Sequence, residues 1–163
     1  YAIRKGVMAA RGSKIIFIDA DGSIGPGEIP RMSKMLEKFD VVVGDRAHYE
    51  SDVNQPILRK TTGKMFNSYV NALFGINIKD NLCGFKGFRK EAALRIISMT
   101  RTRGLFWDTE MLFLAKKLGF RVAEIPVSWR EMKGRSTKIS LKIIFVFAVS
   151  VAKLFARNLT GDY

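Results

Sequence analysis

Asp19 and Asp21 stand one residue apart at the end of the run Lys14-Ile-Ile-Phe-Ile-Asp-Ala-Asp-Gly22. Two carboxylates at that spacing offer hard oxygen ligands to Mg²⁺ or Mn²⁺, ions that commonly also hold a substrate diphosphate. An acidic turn closed by Gly22 at positive φ would give the same pattern. Further charged groups follow: Arg46 in Gly44-Asp-Arg46, then Arg59, then Asp80 in Asp80-Asn-Leu-Cys-Gly-Phe85. Asp108 and Glu110 sit in Phe106-Trp-Asp-Thr-Glu110, and Arg135 and Lys138 in Gly134-Arg-Ser-Thr-Lys138. Each has a plain alternative: a solvated arginine, a turn-capping aspartate, acids favoured at a helix N-terminus. Trp107 fits a sugar-stacking ring or a core aromatic equally, and Cys83 reads as a small buried residue.

The elements that position these groups alternate between helix and strand. Ala2 to Arg11 has a helical period and stops at Gly12, and Lys14 to Ile18 is a short apolar run of the kind buried on both faces of a parallel sheet. Its acids then fall at the carboxyl end, where open α/β sheets place ligands. A helix starting at Glu28-Ile-Pro, a second buried strand over Asp40 to Gly44 and an irregular polar stretch from Asp45 to Pro56 follow. Ile57 to Phe74 is helical through Met65, Phe66, Tyr69, Val70 and Leu73. Gly84 to Phe88 reads as a short strand, Lys90 to Met99 and Asp108 to Leu118 as helices, and Arg121 to Ile125 as a strand that Val127 to Trp129 extends as an edge. The order predicts parallel strands joined by right-handed crossovers.

Composition narrows the class. At 163 residues and 47% hydrophobic content, one domain with a real core is expected. The single cysteine excludes an internal disulfide framework and fits a reducing compartment. Lys and Arg number 28 against 15 Asp and Glu, a net +13, so an anionic partner is expected. Zinc-finger spacing, an RNA-recognition signature and basic-aromatic interleaving are all absent, which argues against nucleic acid.

The stretch from Ile143 to Ala152 carries only Ser150 as a polar residue, between Lys142 and Lys153, with Arg157 beyond. Ten residues of helix reach about 15 Å, half of the roughly 30 Å hydrocarbon core. An amphipathic helix lying at a membrane interface, cations on anionic headgroups, fits better than a span. A helix packed on protein is the alternative.

Taken in order, these motifs resemble glycosyltransferase family 2, and within it the dolichyl- or polyprenyl-phosphate hexosyltransferases. The resemblance covers essentially the whole chain. It implies a GT-A-like (Rossmann-like) α/β fold, a mostly parallel sheet flanked by helices, with residues 1–138 as part of the catalytic domain and 139–163 as the membrane-interfacial helix. Tyr1-Ala-Ile-Arg-Lys-Gly reads as the middle of a family element, so an N-terminal segment bearing the nucleotide-base pocket is expected to be missing.

The resemblance also assigns roles. Asp19 and Asp21 hold the divalent cation and donor diphosphate; Ser23, where mannosyl relatives often have a further ligand, is a poorer one. Arg46 and Arg59 meet phosphate charge, Asp80 lies beside the sugar or acceptor, and Asp21, Asp80 and Glu110 form the catalytic set. Trp107 and Asp108 join the substrate site, and Arg135 or Lys138 supplies a cation near the acceptor phosphate, in a run two residues longer than usual. The implied reaction moves a hexose from UDP-glucose or GDP-mannose to dolichyl or polyprenyl phosphate, with inversion, at the cytoplasmic face of a membrane. A transferase with a soluble or polysaccharide acceptor and a non-catalytic basic module that binds membrane or nucleic acid are the competing readings.

Overall fold

The computed structural model describes residues 2–102, 104, 106–132, 141–161 and 163. Helix α1 (Ala2–Ala9) leads to β1 (Lys14–Phe17); a short 3-10 turn and α2 (Ile29–Met35) lead to β2 (Val41–Asp45). Then come β3 (Asp52–Asn54), α3 (Ile57–Phe74), β4 (Lys86–Arg89), α4 (Lys90–Met99), α5 (Trp107–Lys117), β5 (Val122–Pro126), β6 (Ser128–Arg130) and α6 (Leu141–Leu159).

Four strands form one sheet in the order β1-β4-β2-β5. β1, β2 and β5 run the same way and β4 is reversed, pairing antiparallel with both β1 and β2. The expected parallel direction of β1 and β2 is therefore present, but β4 separates them, which a simple crossover does not anticipate. Gly87 permits this: it lies opposite Ile16 and Val42, and a β-carbon there would come within 2.8 Å of Met32 of α2.

β2 is buried along its whole length, as a continuous apolar run at the middle of a sheet must be. Strand alternation sends Val41 and Val43 into one core, with residues of α1, α3, α4, α5 and α6. Val42 enters the other, with Met32 and Leu36 of α2 and with Phe85, Ile125, Val127 and Trp129. Val151 and Leu154 fix α6 in the first core, and Phe147 and Phe155 contact Phe66 and Phe74 of α3. Among the described residues no helix is long and apolar enough to cross a membrane.

Two expectations need correction. Val127 to Trp129 does not extend β5. Pro126 has no N–H with which to continue a ladder, Val127 donates its N–H to Ser51 Oγ at 3.0 Å, and the chain enters a second sheet. There β6 pairs in parallel with β3, Val53 opposite Trp129, inside the stretch expected to be irregular. On α3, Val70 is buried, whereas Met65 and Tyr69 are 68% and 54% exposed.

Candidate active site

β1 delivers Asp19 to the carboxyl end of the sheet, where its carboxylate rests on the backbone just before β4. A β-carbon on Gly84 would stand 1.9 Å from Asp19 Oδ2, so glycine is required there by close approach rather than by φ. Asp21 Oδ1 accepts the Ser23 N–H at 2.8 Å, which together with Gly22 at φ 80° folds the loop back on itself. Burial, then Asp21 and Asp108, raise the Asp19 carboxyl above its ordinary range, while Lys86 and Arg46 pull it down. Asp19, Asp21 and Asp108 thus share one acidic locus.

Lys86 compensates that locus from inside the sheet. Its side chain is fully buried, and Nζ donates to Asp108 Oδ1 at 2.7 Å and to the Cys83 carbonyl at 2.5 Å. A buried ammonium without such partners would carry a desolvation cost of several kcal/mol. Trp107, beside Asp108 at the start of α5, packs toward Phe17 with ring centroids 6.3 Å apart and joins the first core.

The arginine side of the site is built on Asp80. Arg46 donates Nε to Oδ2 at 2.6 Å, Nη2 to Oδ1 at 2.8 Å and its backbone N–H to Oδ2 at 3.2 Å. Burial opposes the Arg46 charge, but the hydrogen bonds and charge of Asp80 more than offset it, and the guanidinium is raised. Both Asp80 oxygens are engaged, so in this structure Asp80 holds an arginine and is not placed as a free base. Its loop is itself clamped. Glu124 Oε1 accepts the Lys79 N–H at 2.7 Å, while Asn71 and Asn67 of α3 bond Ile78 and the Asn81 N–H.

Arg59, in the first turn of α3, donates to Glu131 at 3.1 Å. The guanidinium carbons of Arg46 and Arg59 lie 5.8 and 5.5 Å from the centroid of the Trp129 ring. The acidic locus and the arginine side meet in one segment, since Asp19 lies against Gly84 and Arg46 is held by Asp80 four residues earlier.

Glu110 does not join them. It is fully buried, and its oxygens accept the backbone N–H groups of Arg101 at 3.1 Å and Thr102 at 2.8 Å. Its carboxylate also bonds the Tyr163 hydroxyl and lies 3.7 Å from Arg157. Two positions past Asp108 on a helix is a turn of about 200°, which explains why the acids diverge. In this structure Glu110, expected in the catalytic set, clamps the 101–102 segment. Arg135 and Lys138 lie outside the described residues. Burial pushes the Cys83 thiol up to about 12, in keeping with a packing residue.

Three residues at the candidate site, Lys86, Glu124 and Trp129, lie in segments that motif reading picks out but were given no role by it. Their signals are modest. A lysine flanked by Gly-Phe and Gly-Phe, and one acid inside Val-Ala-Glu-Ile, are charges in segments otherwise fit for burial.

The family model for glycosyl transferase family 2 matches residues 1–97. The dolichyl-phosphate beta-glucosyltransferase of Dictyostelium discoideum is 33% identical over 141 residues, covering 82% of this chain and 43% of that protein. The Saccharomyces cerevisiae protein of the same name is 31% identical over 159 residues, covering 88% and 47%. The chain thus spans somewhat under half the length of the curated relatives it matches. Among solved structures, glucosyl-3-phosphoglycerate synthase from Mycobacterium tuberculosis superposes with a TM-score of 0.61 at 14% identity, over 94% of this chain and 52% of that one. That likeness establishes a shared GT-A fold.

Proposed function

We propose that this chain, which belongs to glycosyl transferase family 2, carries the part of a polyprenyl-phosphate hexosyltransferase that holds the donor diphosphate and the acceptor phosphate. The observation that carries the reading is geometric: the Asp19 carboxylate lies against Gly84, in the same 80–85 segment whose Asp80 carboxylate holds Arg46 in a two-pronged pair. Named relatives at 31–33% identity support dolichyl phosphate as acceptor and glucose as the hexose. UDP-glucose and GDP-mannose are the donors to compare.

The phosphate of a polyprenyl phosphate is already ionised at neutral pH, so its oxygen can attack the anomeric carbon without a general base. The new carbon–oxygen bond forms as the bond to the nucleoside diphosphate breaks, and the diphosphate leaves with the electron pair. In-line displacement inverts the anomeric centre. Arg46 and Arg59 orient the acceptor phosphate, and Asp80 keeps Arg46 in place.

The chemistry of the donor set fits Mg²⁺ or Mn²⁺: Asp19 and Asp21 offer hard carboxylate oxygens one residue apart, with the Asp108 carboxylate nearby. Among the described residues no three His, Cys, Asp or Glu side chains stand together as ligands, so diphosphate and water oxygens would complete the shell. Such an ion, when bound, supplies charge stabilisation to the departing diphosphate.

Membrane contact at the cytoplasmic face is part of the same reading. Phe145 and Leu159 of α6 are 69% and 71% exposed, Met65 and Tyr69 of α3 are exposed too, and Lys60, Lys64 and Lys153 are exposed cations on the same helices.

The test takes the natural full-length protein with Mn²⁺, a polyprenyl phosphate and each labelled nucleotide sugar in turn. Label moving to lipid, and lost in Asp21→Ala, supports the reading. A wild type as inert as the variant with every donor sinks it.

A further inference from the structure

Trp129 has no role in the reaction as proposed, yet the two arginines of the site meet on it. Its ring is 5% exposed and lies 5.8 Å from the Arg46 guanidinium carbon and 5.5 Å from that of Arg59. Two guanidinium groups brought to one ring would repel each other in a poorly solvated site. Each is answered by its own carboxylate, Asp80 for Arg46 and Glu131 for Arg59, and the negative face of the indole offsets more of the repulsion.

The same residue is tied to the donor side. Ile24, three residues past Asp21, forms a bridge with Trp129, and the Arg130 N–H donates to the Ser23 carbonyl at 2.9 Å. On its other side Trp129 faces Val53 across the β3–β6 pair.

We propose that Trp129 is a positioning residue that holds Arg46 and Arg59 together as one phosphate-binding pair and fastens that pair to the loop bearing Asp19 and Asp21. The proposal rests on the reading of the arginines as the acceptor-phosphate side. It gives Trp129 a task beyond filling the second core: the π face, and not merely the bulk, sets the arginines.

The experiment compares the natural full-length protein with Trp129→Phe and Trp129→Leu. Calorimetry without divalent cation measures binding of geranyl phosphate and of inorganic phosphate, and thermal unfolding is recorded alongside. Both probes are expected to bind about tenfold more weakly to the leucine variant, with phenylalanine between, while the two variants lose similar stability. Equal binding by all three proteins overturns the proposal. A phenylalanine variant as weak as leucine also overturns it, since bulk alone would then account for the effect. A wild type that binds inorganic phosphate but not geranyl phosphate sinks the lipid-acceptor reading, and Trp129 is then judged on the phosphate series. Binding of neither probe overturns the pairing itself, while the label-transfer assay judges the acceptor separately.

Discussion

The Asp19 carboxylate lies against the α-carbon of Gly84, so close that a β-carbon there would fall 1.9 Å from Oδ2 and 2.1 Å from Cγ. Gly84 leads into β4 in the middle of the sheet, and Asp19 follows β1 by two residues. Gly84→Ala must therefore displace the acid. A shift near 1 Å costs roughly a hundredfold in a positioned reaction, and transfer activity is expected to fall by at least that much. Gly27→Ala, where a β-carbon meets nothing within 4 Å, serves as the control and should leave transfer close to wild type.

Lys86 and Asp108 form a pair whose cationic member is wholly buried. Lys86→Met leaves Asp108 and Asp19 without that cation and should cost about 3 kcal/mol in urea unfolding, the usual penalty for breaking a buried pair from one side. Adding Asp108→Leu should restore most of the stability and none of the transfer activity. Additive losses of stability in the double variant would show that the pair is not coupled.

Asp45 at the end of β2 is fully buried, with Oδ1 accepting the Ala47 N–H at 2.7 Å and Oδ2 unpartnered. Burial raises its carboxyl, aided by Asp80 and opposed by the Ala47 hydrogen bond, Lys79 and His48. The folded chain therefore keeps this proton to higher pH than the unfolded chain. The stability linked to it is full below the ordinary value of 3.8 and is lost as pH rises through the raised one. Asp40 works in the opposite sense, since hydrogen bonding from Arg121 lowers it and its contribution is lost in acid. Asp45→Asn keeps the oxygen that faces Ala47 and removes the charge. Relative to wild type, the variant should gain stability as urea titrations move up from about pH 4 toward pH 7, and should hold a constant advantage once the raised carboxyl has ionised. A constant difference across that range would exclude the linkage.

Exposed apolar residues on α3 and α6 should govern membrane binding without supporting the fold. Met65 is 68% exposed and Phe145 is 69% exposed. Met65→Ser with Phe145→Ser should weaken co-sedimentation with anionic vesicles by about tenfold, roughly 1 kcal/mol or less per side chain. The melting temperature should hold, because neither residue is buried. Unchanged vesicle binding would remove α3 and α6 as the contact.

Strongly patterned segments were legible in the sequence. The strand over Asp40 to Gly44 and the helix from Ile57 to Phe74 lie where their apolar runs and periods put them. The sheet order was not, because a reversed strand inserted between two parallel ones leaves no mark on strand composition. Only the glycines of Gly84-Phe-Lys-Gly-Phe88 hinted at a crowded neighbour. β3 escaped because its three residues, Asp52 to Asn54, are too short for alternation to register and pair only with residues far along the chain. In the site, short motifs placed charged groups in sequence but not their directions. Asp108 and Glu110 read as one acidic pair, yet their helix turns one toward Lys86 and the other toward Arg101 and Thr102.

The bridge between Ile24 and Trp129 has a consequence for the order in which the molecule is made. The loop after Asp21 leaves the ribosome well before the strand that braces it, since Ser128–Arg130 follows every other described strand. A nascent chain halted before Ser128 can form β1, β2 and α2 but has no partner for β3 and no ring on which Arg46 and Arg59 can meet. Until then Ile24 and Val53 have lost their common neighbour, and the half-built second core is the surface on which chaperones would act.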